Sequence, residues 1–369
     1  MVTTKAAVLR DKAAEFALED ISVTDELRPD EVRVRVVATG ICHTDLLVRD
    51  QILPPALPAV LGHEGSGIVE AVGIAVDTCA VGDRVVLAPR SCGRCANCRS
   101  GHPMHCAEWL HLNLRGRRAD GSTAYRDAAG AELNGHFFGQ SSLSGHVVTQ
   151  QRSVITISDE APLDLAGPLG CGMIAGAGAV FNVLTPPPGA GVAVIGAGAV
   201  GLAGVMAAVV LGCAPIIAVD LHRNRLDLAA ELGATHLIDA GAGDVVAAVK
   251  RICPDGVSFC LDAVGLPQTV HTAMSALAMG GAAALAGSSG TGQDAAINLA
   301  QMMGRTLHGV IEGDSVPELL IPQLVDLHLA GRFPFDKLVR TYPLEEIGVA
   351  VRDAETGRTV KPVLLHTWR

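Results

Sequence analysis

One run near the middle of the chain limits its fold more than any other. The apolar segment Val192-Ala193-Val194-Ile195 leads directly into Gly196-Ala197-Gly198-Ala199-Val200-Gly201. A short apolar run ending in G-x-G-x-x-G and opening an apolar stretch reads as a strand, a tight turn and a buried helix. A second strand-like run at 216–219 ends in Asp220, 19 residues past Gly201. From 189 to 219 about thirty residues pass without a charge, long enough to span a bilayer. Seven glycines interrupt that run. A strand–helix–strand unit buried in a parallel sheet has the same hydropathy, so the expectation is a soluble domain.

The surrounding sequence fits this. From about residue 173 to 310, short apolar runs alternate with Ala/Leu-rich segments such as 225–232 and 245–252. That alternation predicts βαβ units and a doubly wound parallel sheet of Rossmann type. The first half differs. Val32, Val34 and Val36 alternate with Arg33 and Arg35, the pattern of a half-buried strand. Runs at 67–72 and 84–87 follow, so this part is mainly β. A helix over 317–329 and a strand over 360–365 close the chain. The predicted division is 1–172, 173–310 and 311–369, the last returning to the first domain.

Each glycine of the fingerprint has a task. Gly196 permits the tight turn, Gly198 lets backbone approach a pyrophosphate, and Gly201 lets helix pack on strand. The helix N-terminus at Val200 offers amide donors and positive partial charge to phosphates. Asp220 stands where an acidic group takes ribose hydroxyls and repels a 2′-phosphate, which favours NAD over NADP. Arg223 and Arg225 temper that preference.

A formal charge of −10 argues against a nucleic-acid partner, and the one dense basic patch is Arg115, Arg117 and Arg118. Ten cysteines without an apolar N-terminal signal point to a reducing cytoplasm and to metal chemistry. Cys92, Cys95, Cys98 and Cys106 follow C-x2-C-x2-C-x7-C. Four thiolates close a tetrahedral Zn²⁺ shell and leave no position for substrate, so this metal is expected to be structural. An iron–sulfur cluster is the competing reading. Three further candidate ligands, Cys42, His63 and Cys171, lie in glycine-rich settings. A Cys2His set with an open fourth position is a catalytic zinc arrangement.

With Gly62-His63-Glu64-x-x-Gly67, the four-cysteine lobe (about 90–108), the Cys171 segment, the nucleotide fingerprint and Gly357-Arg-Thr-Val-Lys361, the sequence resembles the zinc-containing medium-chain alcohol dehydrogenases. Phe138-Gly-Gln-Ser-Ser142, Pro168-Leu-Gly-Cys171-Gly172, Glu312-Gly-Asp314 and Phe333-Pro-Phe-Asp336 are similar to the bacterial aryl and allylic branch, the benzyl alcohol and geraniol dehydrogenases. The resemblance implies a Rossmann domain inserted between the two parts of a mainly-β, GroES-like catalytic domain that carries a structural zinc lobe. It implies two Zn²⁺ per chain, with Cys42, His63 and Cys171 holding the catalytic one. Asp45 would orient His63, and Glu64 would lie behind the metal. His43 and Lys361 match positions that contact the pyrophosphate, and Thr44 matches the hydroxyl that bonds the substrate oxygen.

The implied reaction is reversible oxidation of a primary alcohol, by hydride transfer from a zinc-bound alkoxide to NAD. Where the best-known relatives end their proton relay in histidine, this chain has Leu47. The pocket positions map to Leu53, Phe137 and Phe138, with Ala88 or Pro89 near the mouth, all apolar. An aromatic or allylic alcohol fits them best. One alternative is an S-hydroxymethyl-thiol dehydrogenase, for which Arg49 or Arg115 would serve an anionic substrate. Another is a non-catalytic zinc- and nucleotide-binding scaffold. Relatives assemble as homodimers or homotetramers, and apolar Leu285, Ala286 and Leu299 offer such an edge.

Overall fold

The computed structural model describes residues 1–287, 290 and 293–366. The chain forms two compact units, one of residues 1–171, 316–329 and 336 onward, the other of 172–315 and 330–335.

Two sheets build the first unit. The larger, seven-stranded sheet runs Val339–Pro343, Lys361–Leu365, Glu31–Gly40, Glu64–Val72, Arg84–Leu87 and Val154–Thr156, with His146–Gln150 also paired to Glu31–Gly40. Val32, Val34 and Val36 are buried on one face of its central strand. Arg33 and Arg35 occupy the other face, where both reach Glu70, at 3.7 and 3.3 Å. The alternation in sequence therefore becomes a sheet with one dry face and one ion-paired face. A four-stranded sheet, in the order Ala59–Val60, Val2–Leu9, Ala17–Val23, Tyr125–Asp127, shares a hydrophobic core cluster with Phe137 and Phe138.

The second unit is one six-stranded parallel sheet. Its order is His236–Asp239, Ile216–Asp220, Val192–Ile195, Val257–Asp262, Leu277–Leu285, Thr306–Gly309. Numbered along the chain this is 3-2-1-4-5-6, the order that opens a crevice where the winding reverses at the first strand. Helix Ala199–Val210 has Gly201 through Ala208 buried, which explains the long uncharged run as an enclosed helix. No helix among the described residues is long and apolar enough to cross a membrane.

Candidate active site and metal centres

Cys42, His63, Glu64 and Cys171 come from sequence-distant segments of the first unit. Each nonetheless places one donor atom within 4.8 Å of the others. Cys42 caps the short helix His43–Arg49, which presents its sulfur and Thr44 at one helix end, with Thr44 Oγ1 3.7 Å from Cys42 Sγ. His63 precedes the strand Glu64–Val72. Cys171 follows the turn Gly167–Gly170, and a Cβ on Gly170 would collide with the Leu87 carbonyl. That missing side chain lets the turn press against the sheet and deliver the sulfur.

Asp45 organises the cluster. Its Oδ1 accepts from the Gly62 amide at 3.0 Å and faces His63 Nδ1 at 3.2 Å, while Oδ2 accepts from the Cys42 amide at 3.0 Å. The carboxylate thus fixes the Nδ1–H tautomer, leaving the Nε2 lone pair on the cluster side. His63 Nε2 is buried and has no hydrogen-bond partner. A buried nitrogen converging with two sulfurs fits a metal. The neighbouring Cys171 thiol, with added charge from Lys361 and His63, holds Cys42 well below the ordinary thiol range. That favours the thiolate a metal needs.

Glu64 is fully buried, and Lys361 Nζ donates to its two oxygens at 2.8 and 2.9 Å and to the Ile41 carbonyl at 3.2 Å. These contacts use the three ammonium protons. Burial opposes the Lys361 charge, yet the Glu64 carboxylate outweighs it and raises the lysine above its usual value. The sequence expectation put Lys361 on the pyrophosphate; here its donors are committed to Glu64 and Ile41. His43 is exposed at the start of its helix.

Sequence reasoning missed two neighbours. Gln140 Oε1 accepts from the Gly65 amide at 3.1 Å and its Nε2 donates to the His63 carbonyl at 3.0 Å, bracketing the ligand strand. Trp109 packs edge-on to Phe138 at 5.6 Å, and Phe138 stacks on the His63 ring at 4.5 Å and 26°. Phe137 meets His63 edge-on at 5.4 Å. Both phenylalanines are buried, and half-buried Leu53 packs against the same cluster. The pairing of Phe137-Phe138 was visible in sequence. Trp109 gave no local signal, because its partner lies 29 positions away.

The second cluster gathers Cys92, Cys95, Cys98 and Cys106, with every sulfur within 4.8 Å of the others. Amides of Cys92 and Glu108 point to Cys106 Sγ at 3.3 and 3.4 Å, and the Cys95 amide to Cys92 Sγ at 3.4 Å. The amides of Ala107 and Cys98 bring the Cys95 thiol down to about 6. All four cysteines are free of disulfides. N–H groups aimed at sulfur stabilise thiolates, as a tetrahedral metal shell requires.

In the second unit Gly196 adopts φ +90°, the left-handed turn its place in the fingerprint demands. A cavity of about 390 Å³ opens beside Gly196, Asp220, Arg225 and Thr269. Asp220 accepts from the Ala197 and His222 amides at 2.7 and 2.8 Å, and Arg225 Nη1 stands 3.9 Å away. Gly198 caps helix Ala199–Val210 with open space over its Cα. Donors, cavity and carboxylate suit a dinucleotide.

One unit holds a parallel sheet with a glycine turn and a cavity that suit a dinucleotide, and the other holds two thiol clusters that suit metals. Comparison with known proteins agrees. Residues 28–159 match the alcohol dehydrogenase GroES-like domain, and residues 199–327 match the zinc-binding dehydrogenase domain. Geraniol dehydrogenase of Castellaniella defragrans is 41% identical over 99% of this chain and 98% of its own. Benzyl alcohol dehydrogenase of Acinetobacter calcoaceticus superposes with a TM-score of 0.96 at 42% identity, covering both chains completely. An alcohol dehydrogenase zinc-binding domain protein of Burkholderia ambifaria gives 0.97 at 49% identity, also over both full chains. The chain belongs to the zinc-containing medium-chain alcohol dehydrogenases. It is an oxidoreductase whose substrates are small-molecule alcohols.

Proposed function

We propose that the chain oxidises lipophilic primary alcohols, aromatic or allylic, reversibly to aldehydes with NAD. The observation carrying this reading is the aromatic wall on the metal ligand, with Phe138 stacked on His63 and Trp109 against Phe138. A substrate ring gains about 0.5–1.5 kcal/mol per aromatic pair beyond area burial, and an allylic chain gains the burial itself. Ethanol and sugars gain nothing comparable. The relatives named for geraniol and benzyl alcohol support the same class.

In this reading Cys42, His63 and Cys171 hold the catalytic zinc and the four lobe cysteines the structural one. Zinc, when bound, would supply Lewis acidity that makes a bound hydroxyl far more acidic, and NAD, when bound, would supply the hydride acceptor. The residues do the rest. Asp45 keeps the His63 proton on Nδ1, so the other nitrogen stays a ligand. Thr44 Oγ1 accepts the hydroxyl proton as it gives its own to solvent water, because Leu47 offers no titratable group to receive it. Glu64 and Lys361 form a neutral pair that leaves the net charge of the site to the two thiolates. Asp220, fixed by two amides, favours a ribose with free hydroxyls, and Arg225 softens that preference. We place the enzyme in the cytoplasm as a homodimer or homotetramer.

The thiol-adduct alternative is less favoured. Arg49 is engaged by Asp50 at 2.8 Å and Glu355 at 2.9 Å, which spends its charge. Comparing kcat/KM for benzyl alcohol, geraniol, ethanol and a formaldehyde–thiol adduct, each with NAD and NADP, tests the reading. Ethanol or the adduct outperforming both lipophilic alcohols overturns it.

A further inference from the structure

The first unit also contains a small polar cavity of about 30 Å³ lined by none of the metal-ligand candidates. Arg28, Arg90, Arg118, Glu31, His136 and Thr149 line it. Most of the charge there is already matched. Arg118 meets Glu31 through two bonds of 2.6 and 2.7 Å, and Arg28 reaches Asp120 at 2.6 Å and Ser122 at 2.9 Å.

Arg90 is the exception. Its guanidinium makes no ion pair, and its Nε is buried without a hydrogen-bond partner. Thr149 Oγ1, on the same cavity, is also buried and partnerless. A guanidinium keeps its proton at any working pH, so burial costs free energy unless a counter-charge arrives. His136 supplies neither charge nor relief. Its Nε2 accepts from the Ala124 amide at 3.1 Å. Burial, with the positive charges of Arg118 and Arg90, brings its pKa down to about 3.

We propose that this cavity binds a small monovalent anion, halide- or formate-sized, between the Arg90 guanidinium and the Thr149 hydroxyl. The size fits: a water needs about 10–15 Å³ of such space, so the cavity takes one small ion and little more. Two donors without partners, Arg90 Nε and Thr149 Oγ1, belong to residues that line it, and the carboxylates that act on Arg90, those of Asp30, Glu31 and Glu108, make no contact ion pair with it. Water satisfies the donors but leaves Arg90 without a contact ion pair, which a small anion supplies.

The Arg90 amide donates to Asn113 Oδ1 at 2.8 Å, and Asn113 Nδ2 donates to the Arg90 and Trp109 carbonyls at 2.9 and 2.8 Å. Asn113 thus clamps the chain entering the cysteine lobe to the chain leaving it.

Thermal unfolding of the zinc-loaded protein, in bromide, formate or gluconate at matched ionic strength, tests this. A bound ion stabilises by mass action, so Tm rises saturably by about 2–4 °C in bromide or formate relative to gluconate. Arg90→Met abolishes the rise and Thr149→Val weakens it. Should Arg90→Met not fold, Thr149→Val and anomalous scattering from bromide-soaked crystals decide the matter. Equal melting in all three salts, a rise that persists in both variants, or a cavity holding only water overturns the proposal. The bromide and formate arms separate a spherical from a planar ion.

Discussion

Asp45→Asn is the most informative single change at the cluster. The carboxylate is almost fully buried and its two oxygens serve three groups, the amides of Gly62 and Cys42 and the His63 ring. Asparagine has the same shape but one acceptor oxygen. Oriented to keep Gly62 and His63, its NH₂ faces the Cys42 amide, donor against donor. Flipped, it abandons the other two. The better orientation orphans one buried N–H, at a cost of about 1–3 kcal/mol. The imidazole also loses its anionic partner, and such losses weaken metal sites about 10- to 100-fold. Zinc release to a chromogenic chelator reads this directly, because the lobe metal acts as an internal control. The expected trace has one zinc leaving at about 10- to 100-fold lower chelator concentration than in the wild type, the other unchanged. Release of both metals at the wild-type midpoints would refute the role given to Asp45.

Lys361→Met deprives buried Glu64 of its ammonium and is expected to cost about 3–5 kcal/mol in urea unfolding. Adding Glu64→Gln recovers most of it, whereas additive losses would argue against the pair. His136 and His366 are driven down to about 3 and about 4, chiefly by burial. Both folded values lie below the unfolded value of about 6.5, so the unfolded chain binds more protons in acid. The stability from keeping them neutral is complete above that pH. It falls by about 1.4 kcal/mol per pH unit per histidine towards each folded value. His366→Gln removes one share of this slope, and an unchanged slope refutes the assignment. Leu47→His installs a proton acceptor and moves the optimum for alcohol oxidation to lower pH; an identical pH–rate profile counts against a relay interrupted at Leu47.

Much of this molecule was legible before its structure. Val32, Val34 and Val36 declared a one-sided strand, because side-chain alternation is a local property. The glycine fingerprint with Asp220 pointed to the place where a cavity opens, since strand, turn and helix are contiguous. The cysteine lobe was legible because its ligands sit within fifteen residues. Long-range pairings were not. Lys361 and Glu64 lie 297 residues apart, and nothing local shows that the lysine turns inward. Gln140 bracketing His63, and Trp109 against Phe138, depend on how loops cross a finished sheet. Arg90 is the clearest case: that its Nε stays without a hydrogen-bond partner shows only in the folded chain.

The central claim is that Cys42, His63 and Cys171 hold the working metal and the lobe cysteines hold another. Zinc content and benzyl alcohol-dependent NADH formation in Cys171→Ala test it most directly. The account expects two zincs per chain in the wild type and one in the variant. NADH formation should be lost while the chain remains folded. A variant that keeps both metals, or still turns over with one, would contradict it.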